Sequence, residues 1–188
     1  MLDIPTKDRK SEAVLTRAYT IELLDPAKHR REEFDCGVEV LNDYVKRRAN
    51  QEMKALAAAC YVIVPDDDPG RIAGFYTLSA TSIELTQLPE MLRKKLPRYD
   101  QLGAVLVGRL ARDMDFASER IGEKLLLSAL LRSFRESRRI GAVSVLVDAK
   151  DEAASSFYQR FGFMPLQGSR LYLPMKEVPK WNPLAAER

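Results

Sequence analysis

A chain of 188 residues, 46% hydrophobic and 30% charged with a net charge of +3, suits one globular domain with a sizeable core. No apolar run is long enough to span a bilayer, and the charged start from Met1 to Lys10 lacks the apolar segment of a secretory signal, so a cytoplasmic location without a membrane partner is expected. Cys36 and Cys60 lack metal-ligand spacing, His29 is the single histidine, and neither a Walker A sequence nor a G-x-G-x-x-G turn is present, which speaks against a metal centre, a Ser/His/Asp triad and the common nucleotide loops.

In chain order, residues 1–17 are polar and charged and read as a mobile arm, 18–177 as the domain, and 178–188 as a tail. Tyr19 to Leu24 alternates as a first strand. Phe34-Asp35-Cys36-Gly37 leads into a helix whose apolar face carries Val38, Leu41, Tyr44, Val45 and Ala49. Ala59 to Val64 and Ile72 to Ser79 form a hairpin around the turn Pro65 to Gly70. Leu88 to Pro97 reads as a short helix bracketed by prolines. Its basic cluster, Arg93, Lys94, Lys95 and Arg98, is either a solvated face or a set of phosphate contacts.

Val105 to Asp113 is almost wholly apolar apart from Arg109 and so reads as a central strand, with Arg109 open to pairing with an acid. A turn-like stretch from Asp113 to Arg120 then opens a helix, Ile121 to Arg138, bearing Leu125, Leu126, Leu127, Leu130, Leu131 and Phe134. Strand, tight loop and helix is the order that aims free N–H groups at an anion. Arg132, Arg135 and Arg139, spaced by three and four, share a face of that helix, which is either plain solvent surface or a phosphate track. Val143 to Val147 is the next strand. Asp148 to Glu152 opens a helix that ends near Phe157-Tyr158 and Gly162, and Arg170 to Lys176 is a final strand.

The strand end Gly108-Arg109-Leu110-Ala111, the loop opening a leucine-rich helix, and Phe157-Tyr158-Gln159-Arg160-Phe161-Gly162-Phe163 together resemble the GCN5-related N-acetyltransferases. Phe34-Asp35-Cys36-Gly37 before a helix with Leu41-Asn42 resembles the toxin members of bacterial toxin–antitoxin pairs. The resemblance runs from about Tyr19 to Lys176. It implies an α/β fold with a mixed, mostly antiparallel central sheet, splayed at the fourth strand and flanked by helices. It also implies acetyl-CoA as cofactor, with the pantetheine arm on the main chain of Leu110, Ala111 and Arg112 and the pyrophosphate on the loop Ala117, Ser118, Glu119, Arg120, Ile121, Gly122 and Glu123. The family loop reads Q/R-x-x-G-x-G/A, and here only Gly122 matches. Main-chain donors do not depend on side-chain identity except where φ is positive, so an Arg120 standing in for a left-handed glycine implies strain of about 1 kcal/mol.

By the same resemblance Tyr158 is the catalytic acid that protonates the departing thiolate, and a phenol with an ordinary pKa of ~10 is protonated at neutral pH. No residue set offers a general base, and that role stays unassigned. The toxin subgroup implies aminoacyl-tRNA as acceptor, with Arg93, Lys94, Lys95, Arg132, Arg135 and Arg139 as candidate RNA contacts. It further implies a homodimer and a ribbon-helix-helix antitoxin that alone links the chain to operator DNA. Two other readings stand beside this one: an acetyltransferase for protein or small-molecule amines, and a module that has lost cofactor binding and acts through its antitoxin and DNA.

Overall fold

The computed structural model describes residues 17–181, so all of the expected arm except Arg17, and the tail beyond Trp181, lie outside the described residues. Seven strands form one sheet in the order β1-β2-β3-β4-β5-β7-β6. They are β1 Tyr19–Leu23, β2 Ala59–Pro65, β3 Gly74–Glu84, β4 Gln101–Arg112, β5 Ser144–Asp148, β6 Met164–Pro165 and β7 Arg170–Pro174. Every pairing is antiparallel except β4 with β5, which is parallel. The expected mixed α/β sheet flanked by helices is therefore present. β3 runs well past the expected Ser79 because β4 pairs with it as far as Glu84 opposite Gln101, a long-range partner that local sequence does not announce.

Helices cover both faces of the sheet. α4 (Ile121–Ile140) packs on one face through Ile121, Leu125, Leu126, Ala129 and Leu130, all fully buried. Each such leucine contributes roughly 1.5–3 kcal/mol by leaving water. The helix continues two residues beyond the expected Arg138 and stops where Gly141 turns to φ 76. α5 (Glu152–Arg160) lies on the same face, started by the Asp151 carboxylate, which accepts from Ala154 N at 2.7 Å, and ended by Gly162 at φ 82. Met175–Trp181 forms a 3-10 helix beside them. Val178 is fully buried and the Trp181 ring sits 5.3 Å from that of Phe161, so the stretch expected to begin a tail starts inside packed structure.

On the opposite face the helix expected after Gly37 is broken into α1 (Glu39–Asp43), one π turn (Tyr44–Arg48) and α2 (Ala49–Lys54). The π turn directs both Tyr44 and Val45 into a cluster with Phe34 and Phe75. α3 (Glu90–Arg93) is shorter than the expected Leu88 to Pro97. Pro89 can only begin a helix, and the segment after Arg93 loosens before Pro97.

β4 holds the sheet and the site together. It pairs with β3 along its length, but with β5 only from Ala104 to Val107. The register with β3 slips by one between Thr77–Arg109 and Leu78–Val107, which leaves Gly108 as the extra residue of a bulge. A methyl there would lie 3.3 Å from Thr77 Oγ1. The bulge bends β4 away from β5, and residues 108–112 leave the parallel ladder with their β5-facing edge unpaired. Gly74 serves the same region differently. A methyl on it would fall 2.8 Å from Ala111 O and 2.9 Å from both Ile121 Cγ2 and Leu125 Cδ1.

Gly74→Ala is expected to push the start of α4 off the sheet and cost about 1–3 kcal/mol of stability, the usual range for an overpacked core. Urea unfolding measures this directly, and an unchanged midpoint would mean that α4 is free to shift.

Candidate active site

Where β4 and β5 part, a cleft of about 280 Å³ opens. Gly108, Arg109, Leu110, Ala111 and Arg112 form its floor, Cys36, Val38 and Leu41 one wall, and Asp148, Lys150, Ala154 and Tyr158 the other. A larger apolar groove of about 600 Å³ lies between α3 and the 175–181 helix, lined by Met91, Leu92, Met164 and Trp181. Its ionisable groups include Lys176 and Glu177, which pairs with Lys180, but it lies apart from the gap between β4 and β5 and from Gly108–Ala111 and Tyr158, so the chemistry points to the smaller cleft.

The Tyr158 wall is set by α5. The residue is 8% exposed, its ring packs 5.5 Å from Phe163 and 5.3 Å from Phe157, and its hydroxyl finds no hydrogen-bond partner among the described residues. Burial pushes its phenol up to about 12, so the group keeps its proton well above neutral pH. A buried, protonated and unpartnered phenol facing a cleft is equipped to donate.

The opposite wall is the Phe34-Asp35-Cys36-Gly37 segment, and the buried Asn42 side chain holds it. Asn42 Oδ1 accepts from Cys36 N at 2.9 Å, and its Nδ2 donates to Asp35 Oδ1 at 2.8 Å. The Asp35 carboxylate also accepts from Gly37 N, which with Asn42 holds it below the usual carboxylate range. The Leu41-Asn42 pair thus has a structural use: its asparagine is the loop's clasp. Burial pushes the Cys36 thiol up, which makes it a poor nucleophile. Arg109 does meet an acid, Glu52 at 3.6 Å, and its guanidinium lies 3.7 Å over the Tyr44 ring.

The loop from Ala117 to Gly122 stands at the N-terminus of α4. Arg120 takes a left-handed conformation, φ 53 and ψ 30, in the place of a family glycine. The backbone keeps the turn although the residue suited to it is gone. Main-chain N–H groups of Ser118, Arg120, Ile121 and Gly122 make no hydrogen bond among the described residues, which leaves donors at the positive end of the helix dipole. The side chains are otherwise engaged. Arg120 bends back to pair with Glu123, Glu119 accepts from the Tyr19 hydroxyl, and Lys124 lies 4.3 Å over the Tyr19 ring. The Phe157 ring lies 3.8 Å from where a methyl on Gly122 would sit, which places α5 beside the loop as well.

The six candidate RNA contacts do not gather at this cleft. Arg132 lies 4.1 Å over the Tyr61 ring and donates to the Tyr76 hydroxyl at 3.3 Å, so it is half-buried. Arg139 reaches Glu136 at 3.6 Å, and Arg132 and Arg135 border a separate recess with Lys124. Arg93 buries its Nε without a partner, Lys94 pairs with Glu90 at 2.8 Å, and Lys95 rims an apolar groove. The cations that do line the cleft, Arg109, Arg112 and Lys150, are ones that spacing along a helix does not single out. No cluster of metal-binding side chains occurs among the described residues.

No protein-family model matches the chain. It is 31% identical over 167 residues to a probable toxin TacT of Sinorhizobium fredii, covering 84% of this chain and 92% of that protein. It is 32% identical over 147 residues to a tRNA-acetylating toxin of Mycobacterium tuberculosis, covering 77% and 86%. Among solved structures it resembles a tyrosine-to-phenylalanine mutant of KacT, with TM-score 0.81, 30% identity and coverage of 87% and 99%. AtaT complexed with acetyl-methionyl-tRNAfMet superimposes with TM-score 0.80, 29% identity and coverage of 86% and 97%. A mutant AtaT bound to the C-terminus of the antitoxin AtaR and to acetyl-CoA gives 0.73, 25%, 86% and 96%.

Arg120→Gly is expected to raise stability by about 0.5–1 kcal/mol, since relief of left-handed strain exceeds the added freedom of glycine in the unfolded chain and the surface pair with Glu123 contributes little. A lower denaturation midpoint would show that this turn is unstrained.

Proposed function

The chain belongs to the family of GCN5-related N-acetyltransferase toxins, and on that premise we propose that it moves the acetyl group of acetyl-CoA onto the α-amino group of an aminoacyl-tRNA, so blocking translation. The observation that carries the reading is the buried, unpartnered Tyr158 phenol facing the cleft where β4 leaves β5. The same reading accounts for the free donors around it. The open edge of Leu110, Ala111 and Arg112 suits the amides of a pantetheine arm, and the free N–H groups from Ser118 to Gly122 suit a diphosphate.

Acetyl-CoA would supply an acetyl group activated as a thioester. The chain's part is to orient and to move one proton. The β4 floor and the Cys36–Leu41 wall would hold the two reactants together, and as the amine nitrogen bonds to the acetyl carbon and the carbon–sulfur bond breaks, Tyr158 Oη would donate its proton to the leaving sulfur and recover one, through water, from the acylated nitrogen. Arg112 and Lys150, lining the cleft, supply positive charge for the 3′ end of an RNA acceptor. Lys94, Lys95, Arg135 and Arg139 stand outside it as contacts for the body of the RNA, while Arg93 has a buried Nε and Arg132 rests on the Tyr61 ring. The retained left-handed turn at Arg120 favours a working phosphate loop over a degenerate one. A homodimer in the cytoplasm, held inactive by a ribbon-helix-helix antitoxin through which it reaches operator DNA, completes the proposal. The antitoxin-bound state of AtaT and the DNA complex of KacTA support the antitoxin and DNA partners within it. No helix among the described residues is long and apolar enough to cross a membrane.

Incubation with acetyl-CoA and charged total tRNA, followed by mass spectrometry of the released aminoacyl adenosines, should yield acetylated aminoacyl products. Acetylation of free lysine or polyamines alone would replace this acceptor by another amine. Tyr158→Phe should lower kcat by roughly 10²–10⁴-fold, the range for loss of a general acid, with the calorimetric affinity for acetyl-CoA nearly unchanged. Undiminished turnover would remove Tyr158 from the chemistry. Because a donor works only while protonated, and this one titrates near 12, kcat/KM should show no alkaline fall from Tyr158 between about pH 7 and 10. A descending limb that lies near pH 8 and disappears in Tyr158→Phe would contradict the assignment.

A further inference from the structure

Asp113 follows directly on the cleft floor and is 1% exposed. Its Oδ2 accepts from Asp35 N and from Arg71 Nη1, both at 2.9 Å, and its Oδ1 accepts from Asp115 N at 3.0 Å. The neighbouring main chain repeats the tie. Met114 N donates to Asp35 O at 2.9 Å, and Asp113 N donates to Ala73 O at 3.0 Å. Both backbone groups of Asp35 are therefore bound to residues 113–114, and Asp35 immediately precedes Cys36, the residue that faces the cleft from that wall. Gly37, at φ 75, presses against Met114, where a methyl would lie 3.3 Å from the sulfur. Arg71 closes the set from the β2–β3 turn. It also reaches Asp115 at 2.9 Å, donates to Ile72 O and lies 5.4 Å over the Phe116 ring.

One buried carboxylate thus spaces three things: the 34–37 wall, the end of the β4 floor, and the turn that leads into the phosphate loop. We propose that Asp113, charge-balanced by Arg71, is a positioning residue for acetyl transfer, setting the width of the cleft between the Phe34-Asp35-Cys36-Gly37 segment and β4 so that the acceptor amine meets the acetyl carbon. The inference rests on the function proposed above. It differs from a purely structural ion pair in its consequence. A structural pair is satisfied by any neutral, well-packed replacement, whereas a spacer also needs an acceptor aimed at the Asp35 amide. An asparagine has one oxygen for three donors and turns a clashing NH₂ on the remainder.

The test uses the full chain as wild type, Asp113→Asn, and the neutral pair Asp113→Asn with Arg71→Gln. The single variant takes away the buried counter-charge of Arg71, leaving only the exposed Asp115, and is expected to melt earlier, and the pair to recover most of that loss. In both, amide hydrogen exchange at Asp35 should quicken by about tenfold or more, kcat for aminoacyl-tRNA should fall on the order of 10–100-fold, and the calorimetric affinity for acetyl-CoA should shift by less than about fivefold. Wild-type kcat in the neutral pair, or unaltered exchange at Asp35, would overturn the positioning role. Wild-type protein that acetylates no aminoacyl-tRNA would overturn the function on which it rests, and the exchange measurement would still decide whether Asp113 holds the wall.

Discussion

The parting of β4 from β5 is the constraint on which the rest of the structure depends. A strand inside a sheet has no use for free hydrogen-bonding groups, and buried ones are costly. This fold keeps a row of them anyway, because the bulge at Gly108 turns the strand before its parallel partner runs out. Everything nearby compensates for that opening. α4 is held against the strand by the bare backbone of Gly74, α5 brings a phenol to the gap, and the 34–37 segment walls off the far side.

Two local departures from ordinary protein chemistry cluster at the same place. Arg120 sits where glycine is the easy choice, and Asp113 keeps a carboxylate almost wholly out of water. Neither survives without support from the surroundings. The turn at Arg120 leads into α4 and has the Phe157 ring beside Gly122, and Asp113 is matched by a guanidinium and two amides. Strain and buried charge at one site are what a fold tolerates where geometry serves chemistry. The aromatic rings beneath Arg109, Lys124 and Arg132 act differently. They draw cations down onto the sheet and its flanking helices, and of the residues whose spacing suggested an RNA contact this engages Arg132.

How much of this could be read beforehand depends on the range of the interaction. The leucine spacing of α4, the alternation of β1, the apolar run of β2 and the glycine stop at Gly162 are local, and a local pattern is visible in the chain. The length of β3, the brief strand β6 and the 175–181 helix depend on partners far along the chain, and no local signal carries them. The π turn after α1 is a similar case, since it is needed only because Tyr44 and Val45 must both face Phe75 and its neighbours.

For the site, the resemblance carried by Gly108 to Ala111 and Phe157 to Phe163 was enough to point to the fold, the cofactor class and Tyr158 as the candidate acid, although the phosphate loop keeps only Gly122 of its pattern. Composition and the lone histidine narrowed the other possibilities. Tertiary structure alone decided which cations face the cleft and which lie on tyrosine rings, that Asn42 clasps the Cys36 wall, and that Asp113 joins the wall to the floor. Those facts depend on distances between residues dozens of positions apart, and such distances exist only once the sheet has formed.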